Sequence, residues 1–251
     1  MIKKKIKTIY ATLMGFFKTP KNYIYILNGH DLGNDALKSQ ERFRQLLLTL
    51  SEKSKLVSFD NAVKLIKSNT KVDKPHIAFS FDDGFKDCIQ IASILEEFGI
   101  TGGFFICPKY IEGMGIDVDR KGDLYKFNKD FLGLKDVLSM KEAGHTFGAH
   151  TYSHVRLDDL ITEKDIFEQI IEEKKVILKH TGIDCKHFAV PYGRYINPRE
   201  NVLSELQKQY ANIFLSDNRI LKMKHNNMIN RRHFECDWSS NMVHYFLSNY
   251  K

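Results

Sequence analysis

The chain has 251 residues, of which 43% are hydrophobic and 27% are charged, and its formal charge is +7. This composition excludes a fibrous or low-complexity chain, and the length allows one α/β domain with a sizeable core. Most of the positive excess lies in the first 25 positions, so the body of the chain lacks the charge of a nucleic-acid-binding protein.

The four cysteines are distant from one another and form no CxxC pair: Cys88, Cys107, Cys185 and Cys236. This spacing argues against a cysteine metal site, and a chain of this length does not depend on a disulfide scaffold. We therefore expect reduced thiols in a cytoplasmic enzyme.

Residues 1–18 combine a basic start with a short apolar run over 9–17. The run is too short to span a bilayer, and no small-x-small cleavage site follows it. We expect residues 1–20 to form a basic amphipathic segment, in peripheral contact with the inner membrane surface or docked on the domain of residues 21–251. A cytoplasmic or inner-membrane-surface location follows from this expectation.

From residue 22 onward, extended and helical patterns alternate. Runs rich in aromatic and β-branched residues predict strands at 22–27, 57–59, 76–81, 101–107, 146–149, 187–190, 211–215 and 228–234. Apolar residues at helical spacing predict helices at 39–50, 60–66, 87–98, 134–143, 163–181, 198–209 and 239–249. Asp60 and Thr162 are expected to cap two of these helices.

This alternation indicates parallel strands joined by right-handed crossovers. It predicts a single α/β domain, and the length is that of a (β/α) barrel with about seven to eight mostly parallel strands. One connection interrupts the alternation of strands and helices, because residues 108–130 are glycine-rich and charged without a clear period. Such a long connection is typical of a loop that covers or recognises a ligand.

Two adjacent carboxylates close the predicted strand 76–81. Asp82, Asp83 and Gly84 follow the apolar run directly. Paired acids repel each other inside a sheet, whereas the carboxyl ends of strands in α/β folds carry the chemistry. We expect both acids at the rim of an active site, in different roles. On this stretch alone, an ordinary Asp-Asp-Gly turn remains an equal alternative.

His150 and His154 lie four residues apart after another predicted strand. Imidazole suits zinc and similar ions, and two imidazoles with one carboxylate make a three-ligand site that stays open to water and substrate. One carboxylate of the Asp-Asp pair would bind the metal and the other would stay free. A bound cation lowers the pKa of its water, so the free carboxylate suffices as a base at neutral pH.

Together, FSFDDG, HTYSH and VPYG resemble the successive motifs of the polysaccharide deacetylases, carbohydrate esterase family 4 with the NodB-homology domain. The resemblance extends from about residue 23 to about residue 246. It implies a distorted (β/α) barrel and metal-dependent removal of an N-acyl group, usually acetyl, from N-acetylglucosamine units of a carbohydrate.

The resemblance also implies roles for residues of these motifs. Asp82 is the matching general base. The matching ligands of a divalent metal, taken to be zinc, are Asp83, His150 and His154. In the third motif the backbone N–H of Tyr192 is expected to meet the oxyanion, and the substrate-binding residues are Pro191, Tyr192 and Gly193.

The sequence departs from the family pattern in two places. Ala189 stands where the third motif commonly has an arginine that pairs with the base, and no late Leu-x-His segment supplies the acid histidine. The first predicted strand, YIYILNGHD, resembles the circularly permuted branch that includes the poly-N-acetylglucosamine deacetylases. There the acid comes from the start of the chain, which makes His30 the match, and a late strand supplies the arginine, here Arg231 or Arg232.

Two alternatives stay open for the function. The metal site could serve a deacylase or deformylase of a lipid- or nucleotide-linked sugar. The missing motif arginine could also mark a catalytically silent sugar-binding domain, although the full set of acids and histidines argues against decay. For the proton donor, His233 is the rival of His30.

Overall fold

The computed structural model describes residues 10–33, 35–115, 122–193, 199–216 and 227–248. Four expectations lie partly outside these residues. They are the start of the N-terminal segment (1–9), the middle of the 108–130 loop (116–121), the first residue of the helix expected at 198–209, and the last residue of the helix expected at 239–249.

The described strands form one sheet in which all paired strands are parallel. They are β1 (Ile24–Gly29), β2 (Lys55–Leu56), β3 (His76–Phe81), β4 (Gly103–Ile106), β5 (Thr146–Ala149), β6 (His187–Ala189), β7 (Asn212–Leu215), β8 (Met228–Asn230) and β9 (Arg232–His233). Their order is β8-β7-β6-β5-β4-β3-β1-β9, with β2 on β3.

The strand predicted over 228–234 is broken at Arg231, and this break closes the barrel. β8 pairs with β7, whereas β9 pairs with β1 at the opposite edge of the strand order. One short segment therefore joins both edges. Its central residue, Arg231, belongs to neither strand, although its N–H donates to the carbonyl of Leu215 on β7 at 2.7 Å. The result is a nearly closed (β/α) barrel, which confirms the predicted fold class.

Helices surround the barrel. In the described residues they are α1 (Ala36–Lys53), α2 (Phe59–Lys67), α3 (Cys88–Glu97), α4 (Leu134–Glu142), α5 (Glu163–Ile166), α6 (Glu173–Thr181), α7 (Glu200–Gln209) and α8 (Ser240–Ser248). A π-helical segment, Phe167–Glu172, joins α5 to α6. The helix expected over 163–181 is thus one helix with a wider turn in its middle. Thr162 caps it as expected, because its side chain accepts from the N–H of Asp165.

The barrel interior is filled by alternate residues of the strands. Ile26, Ala78, Phe105, Ala189, Phe214 and Ile229 form one buried cluster with the ring of Phe59. Small residues on neighbouring strands make room for the rings: a Cβ on Gly148 would lie 2.5 Å from a ring carbon of Phe105. Because successive strand residues point to opposite faces, the inward register of β3 continues from Ala78 to Ser80 and then to Asp82.

The expected strand at 57–59 is wrong. The strand here is Lys55–Leu56, and Phe59 is already the first residue of α2. The N-cap of α2 is Ser58, which has an extended backbone, and not the expected Asp60, which lies in the first turn. The apolar pattern predicted a strand because Phe59 is buried in the barrel interior although it belongs to a helix.

Residues 10–16 are helical and pack on α8 through small side chains. Ala11 is buried, and a Cβ on Gly15 would lie 1.7 Å from the carbonyl oxygen of Asn241, so only glycine fits there. Three apolar side chains of this segment are largely exposed: Leu13 63%, Phe16 70% and Phe17 82%. The ring of Tyr10 is 55% exposed and lies edge-to-face against Tyr245 of α8, with 5.9 Å between the ring centres. In the part of the chain that the structure describes, no helix is long and apolar enough to cross a membrane.

Candidate active site

A cleft of about 540 Å³ opens at the carboxyl ends of the strands. The ends of six strands contribute to its lining, each with the residues that directly follow or close the strand. These are Asn28 and His30 at the end of β1, Asp82 and Asp83 after β3, His150 and His154 after β5, Tyr192 and Gly193 after β6, Ser216 after β7, and His233 and Glu235 at β9. Most of the side chains predicted from the sequence therefore meet at one rim.

Asp82 forms a bidentate ion pair with Arg231 inside the barrel. The Nη1 and Nη2 atoms of Arg231 each lie 2.7 Å from a carboxylate oxygen of Asp82, and both side chains are buried. The N–H of Asp82 continues the strand ladder by donating to the carbonyl of Gly29 at 3.1 Å. The carboxylate therefore keeps the inward register of β3.

Arg231 lies at the break between β8 and β9. Its guanidinium is 4.9 Å from the ring centre of Phe105 and 5.8 Å from that of Phe214, so it rests on the aromatic filling of the barrel. Burial raises the pKa of Asp82, but the nearby positive charges, with Arg231 first, lower it overall to about 2. Asp82 is therefore ionised at neutral pH. Of the two arginines considered, Arg231 makes this pair, and Arg232 is a buried residue of β9.

Asp83, His150 and His154 bring three ligand atoms together. All three side chains are buried, and their ligand atoms lie within 4.8 Å of one another. Oδ1 of Asp83 is 3.4 Å from Nε2 of His150 and 3.3 Å from Nε2 of His154, longer than good hydrogen bonds. That oxygen is buried and has no hydrogen-bond partner in the described residues. A buried, unpaired carboxylate oxygen facing two imidazole nitrogens fits a divalent cation.

Hydrogen bonds from outside the cluster orient His150. Its Nδ1 lies 2.7 Å from the carbonyl oxygen of Ala189, so Nδ1 carries the proton and the Nε2 lone pair faces Asp83. Its backbone N–H donates to Oε1 of Glu173 at 2.5 Å. Ala189, the position of the usual motif arginine, thus contributes its backbone to the site.

The electrostatics of the cluster favour the ligating protonation states of Asp83 and His154. Burial raises the pKa of Asp83, but the neighbouring imidazoles lower it overall. Burial, followed by the charge of His150, lowers the pKa of His154 to about 4. For His150, burial lowers the pKa, but the charges of Asp82 and Asp83 outweigh burial and raise it. An ionised carboxylate and a neutral imidazole are the forms that bind a cation.

The backbone of the site is held in an uncommon conformation. Among the described residues, six that are not glycine have a positive φ, and four of them lie here: Asp83 (75°), Thr151 (59°), His154 (60°) and Tyr192 (63°). Left-handed backbone is unfavourable for such residues and persists only where the surrounding contacts hold it. The ligand loops are therefore shaped by their neighbours rather than by local preference.

Two histidines reach the cleft as candidate proton donors. His30 follows β1, and the centre of its ring lies 5.8 Å from that of His233. The Nε2 atom of His233 lies 2.9 Å from a carboxylate oxygen of Glu235. The structure thus brings both candidate proton donors together, and it gives His233 a carboxylate partner.

Tyr192 lies at the rim after Pro191, which is buried together with Gly193. The phenol hydroxyl of Tyr192 donates to a carboxylate oxygen of Asp123, and its ring centre is 4.8 Å from that of His154. Asp123 belongs to the long loop that was expected to cover a ligand. The hydrogen bond therefore ties this loop to the third motif beside the ligand cluster.

Three carboxyl groups at the site were not identified from the sequence: Asp123, Glu173 and Glu235. Asp123 lies in a loop without periodicity, and Glu235 follows a strand of two residues, so neither carried a signal. Glu173 did carry one, because it takes a core position in the series Ile166, Ile170, Glu173 and Ile177, where a carboxylate requires a partner.

Residues 69–211, more than half of the chain, match the family model described as "Polysaccharide deacetylase". Among curated proteins, none matches this sequence.

Solved structures share the fold over nearly the whole chain. IcaB from Ammonifex degensii has a TM-score of 0.69 at 18% identity, covering 90% of this chain and 98% of that one. The deacetylase PplD from Streptococcus pyogenes, solved in complex with acetate, has a TM-score of 0.65 at 17% identity, covering 90% and 97%. A de-N-acetylase from Aggregatibacter actinomycetemcomitans has a TM-score of 0.66 at 14% identity, covering 89% and 99%.

Proposed function

The chain belongs to the polysaccharide deacetylase family, hydrolases of carbon–nitrogen bonds that act on carbohydrates, and we propose that it is a metal-dependent N-deacetylase of N-acetylglucosamine-type glycans. One observation carries the proposal. The ligand cluster of Asp83, His150 and His154 lies in the same cleft as Asp82, a separate carboxylate that is kept ionised by Arg231. A set of metal ligands beside a carboxylate that does not bind the metal suits hydrolysis of an amide by a metal-activated water.

The residues of the cleft have different roles in the proposed reaction. A divalent cation held by Asp83, His150 and His154 would polarise the substrate carbonyl and acidify a water molecule, and this ligand set suits zinc. Asp82 accepts the proton of the attacking water, and its pairing with Arg231 fixes the direction of its oxygens.

Two further groups act on the oxyanion and on the departing amine. The backbone N–H of Tyr192 donates to the developing oxyanion. His30 gives a proton to the departing amine, because an amine leaves poorly without one, and imidazole is the side chain suited to proton transfer near neutral pH.

The direct test is release of acetate from an N-acetylglucosamine oligomer. We expect the protein to release acetate, a metal chelator to abolish the release, and added divalent cations to restore it, with the restoring ion identifying the native metal. The monosaccharide, tested in parallel, reports the chain length that the cleft requires. If the untreated protein binds the oligomer without releasing acetate, the chain is a silent sugar-binding domain.

We also propose that the exposed face of residues 10–17 rests on an anionic membrane surface. Three large apolar side chains, Leu13, Phe16 and Phe17, are largely exposed there, and the first 30 residues contain six lysines and no acid. Such contact makes a lipid-linked glycan the second candidate substrate.

Vesicle sedimentation tests the membrane contact. The protein is expected to sediment with vesicles that contain anionic lipid and less with neutral ones, since lysines contribute about 1 kcal/mol each near an anionic surface. Replacing Leu13, Phe16 and Phe17 by Ser should abolish binding. Leu37→Ser with Leu48→Ser, at exposed positions of α1, is the matched control. Equal sedimentation of both variants would refute the contact.

A further inference from the structure

We propose that Glu173 and Gln169 are positioning residues that hold the metal-binding loop, residues 150–155, in its ligating shape. The inference rests on the proposed metal site. It assigns a task to a buried carboxyl that takes no part in the reaction, and to the π-helical segment beside it.

The metal-binding loop needs external support. Thr151 and His154 both have left-handed backbone, at φ 59° and 60°, although neither is glycine. Residues in this region keep their conformation only when their surroundings impose it. Within the loop, the side chain of Thr151 accepts from the N–H of Val155 at 3.0 Å. One internal hydrogen bond does not account for the orientation of two imidazoles.

Support from outside the loop divides by atom type. The loop carbonyls accept from the N–H of Lys109 and from the side chains of Cys107 and Tyr110, whereas the loop N–H groups donate to one stretch of helix. Oε1 of Glu173 accepts from the backbone N–H of His150 at 2.5 Å. The carbonyl of Gln169 accepts from the N–H of Tyr152 at 3.2 Å. The side-chain oxygen of Gln169 accepts from both the N–H and the hydroxyl of Ser153, at 3.1 and 3.2 Å. The N–H groups of His150, Tyr152 and Ser153 thus all donate to two residues of the helix.

The π-helical segment explains why one helix can make all these contacts. Phe167–Glu172 is π-helical, and Glu173 is the first residue after it. Wider turns of this kind occur mostly as short insertions and frequently at functional sites. Here the wider turn lies where Gln169 directs both its carbonyl and its side chain to the metal-binding loop, four residues before Glu173.

Glu173 is placed to act as a fixed acceptor. Its side chain is fully buried, and its second oxygen lies 3.3 Å from the hydroxyl of Tyr210, which also donates to the carbonyl of Ile170. A side chain enclosed in this way cannot turn to follow a moving loop. It therefore fixes the backbone of His150 directly behind the first imidazole ligand.

A loop that is shaped before the cation arrives binds it more tightly, because ordering costs nothing further at that moment. Partners of this kind behind metal ligands typically contribute about 10- to 100-fold in metal affinity. We expect Glu173→Leu to weaken zinc binding by about that factor. Glu173→Gln, whose amide oxygen can accept the same N–H, should retain near-native affinity.

Zinc affinity measured by competition with a chromophoric chelator is the primary readout. Amide hydrogen exchange at Tyr152 and Ser153 in the metal-free protein is the second, and it should speed up in Glu173→Leu and in Gln169→Ala. The control is Ile177→Ala, a buried position one helical turn after Glu173, which should lower the melting temperature but leave zinc affinity unchanged.

Each outcome decides the proposal. Native zinc affinity and unchanged exchange in Glu173→Leu would overturn it, and so would an equal loss of affinity in Ile177→Ala. If Glu173→Leu does not fold, Gln169→Ala, at a partly exposed position, must show the same direction of effect. If the native protein binds no zinc, the proposed function fails, while amide exchange in the metal-free loop still tests the positioning.

Discussion

Replacing Asp82 by Asn is expected to lower kcat/KM for acetate release by about 10²- to 10⁴-fold, the usual contribution of a positioned general base. The amide cannot take a proton from water, whereas the three ligand atoms stay in place. Stoichiometric metal should therefore remain bound, as measured by elemental analysis beside the kinetics. Undiminished turnover with metal retained would contradict the assignment of Asp82 as the base.

A control is needed because Asp82→Asn also removes the counter-charge of a buried guanidinium. Breaking one partner of a buried ion pair costs about 3–5 kcal/mol, whereas replacing both partners by apolar or neutral groups is often nearly neutral. The double variant Asp82→Asn with Arg231→Met should thus recover most of the unfolding free energy in a denaturant titration. It should not recover activity. Recovery of both would mean that Asp82 acts through stability alone.

His30→Ala is expected to lower turnover of the amide substrate by about 10²- to 10⁴-fold, because the amine then leaves without a proton. An aryl acetate ester, whose leaving group needs no proton, should lose far less. The ratio of amide to ester turnover in the variant therefore isolates the proton donor from binding and from metal content. A proportional loss on both substrates would mean that His30 does not donate the proton.

His233→Ala is the matched variant, since His233 lines the same cleft, 5.8 Å from His30 between ring centres. Its contact with Glu235, at 2.9 Å from Nε2, holds the ring in the cleft and makes His233 a competitor for the role. We expect His233→Ala to leave the amide-to-ester ratio close to that of the native protein. If the ratio collapses in His233→Ala and not in His30→Ala, the acid comes from the end of the chain.

The resemblance read from the motifs is confirmed by the family match, and the barrel is confirmed by the strand order. Both followed from local patterns. Strand ends were visible because apolar runs stop at charged residues, and the spacing of His150 and His154 is contained within five consecutive positions. Where the local pattern was ambiguous, at residues 57–59, a ring buried by the barrel was mistaken for a strand residue.

The sequence by itself determined the fold class and the identity of Asp82, Asp83, His150 and His154 as candidates, because each is marked by its immediate neighbours. Only the tertiary structure decided which arginine pairs with Asp82. The two partners are 149 positions apart, and the pairing depends on a strand break at Arg231. Asp123 and Glu173 likewise join the site only through contacts that cross the fold. Periodicity reports which face of an element is buried, but not which distant side chain that face will meet.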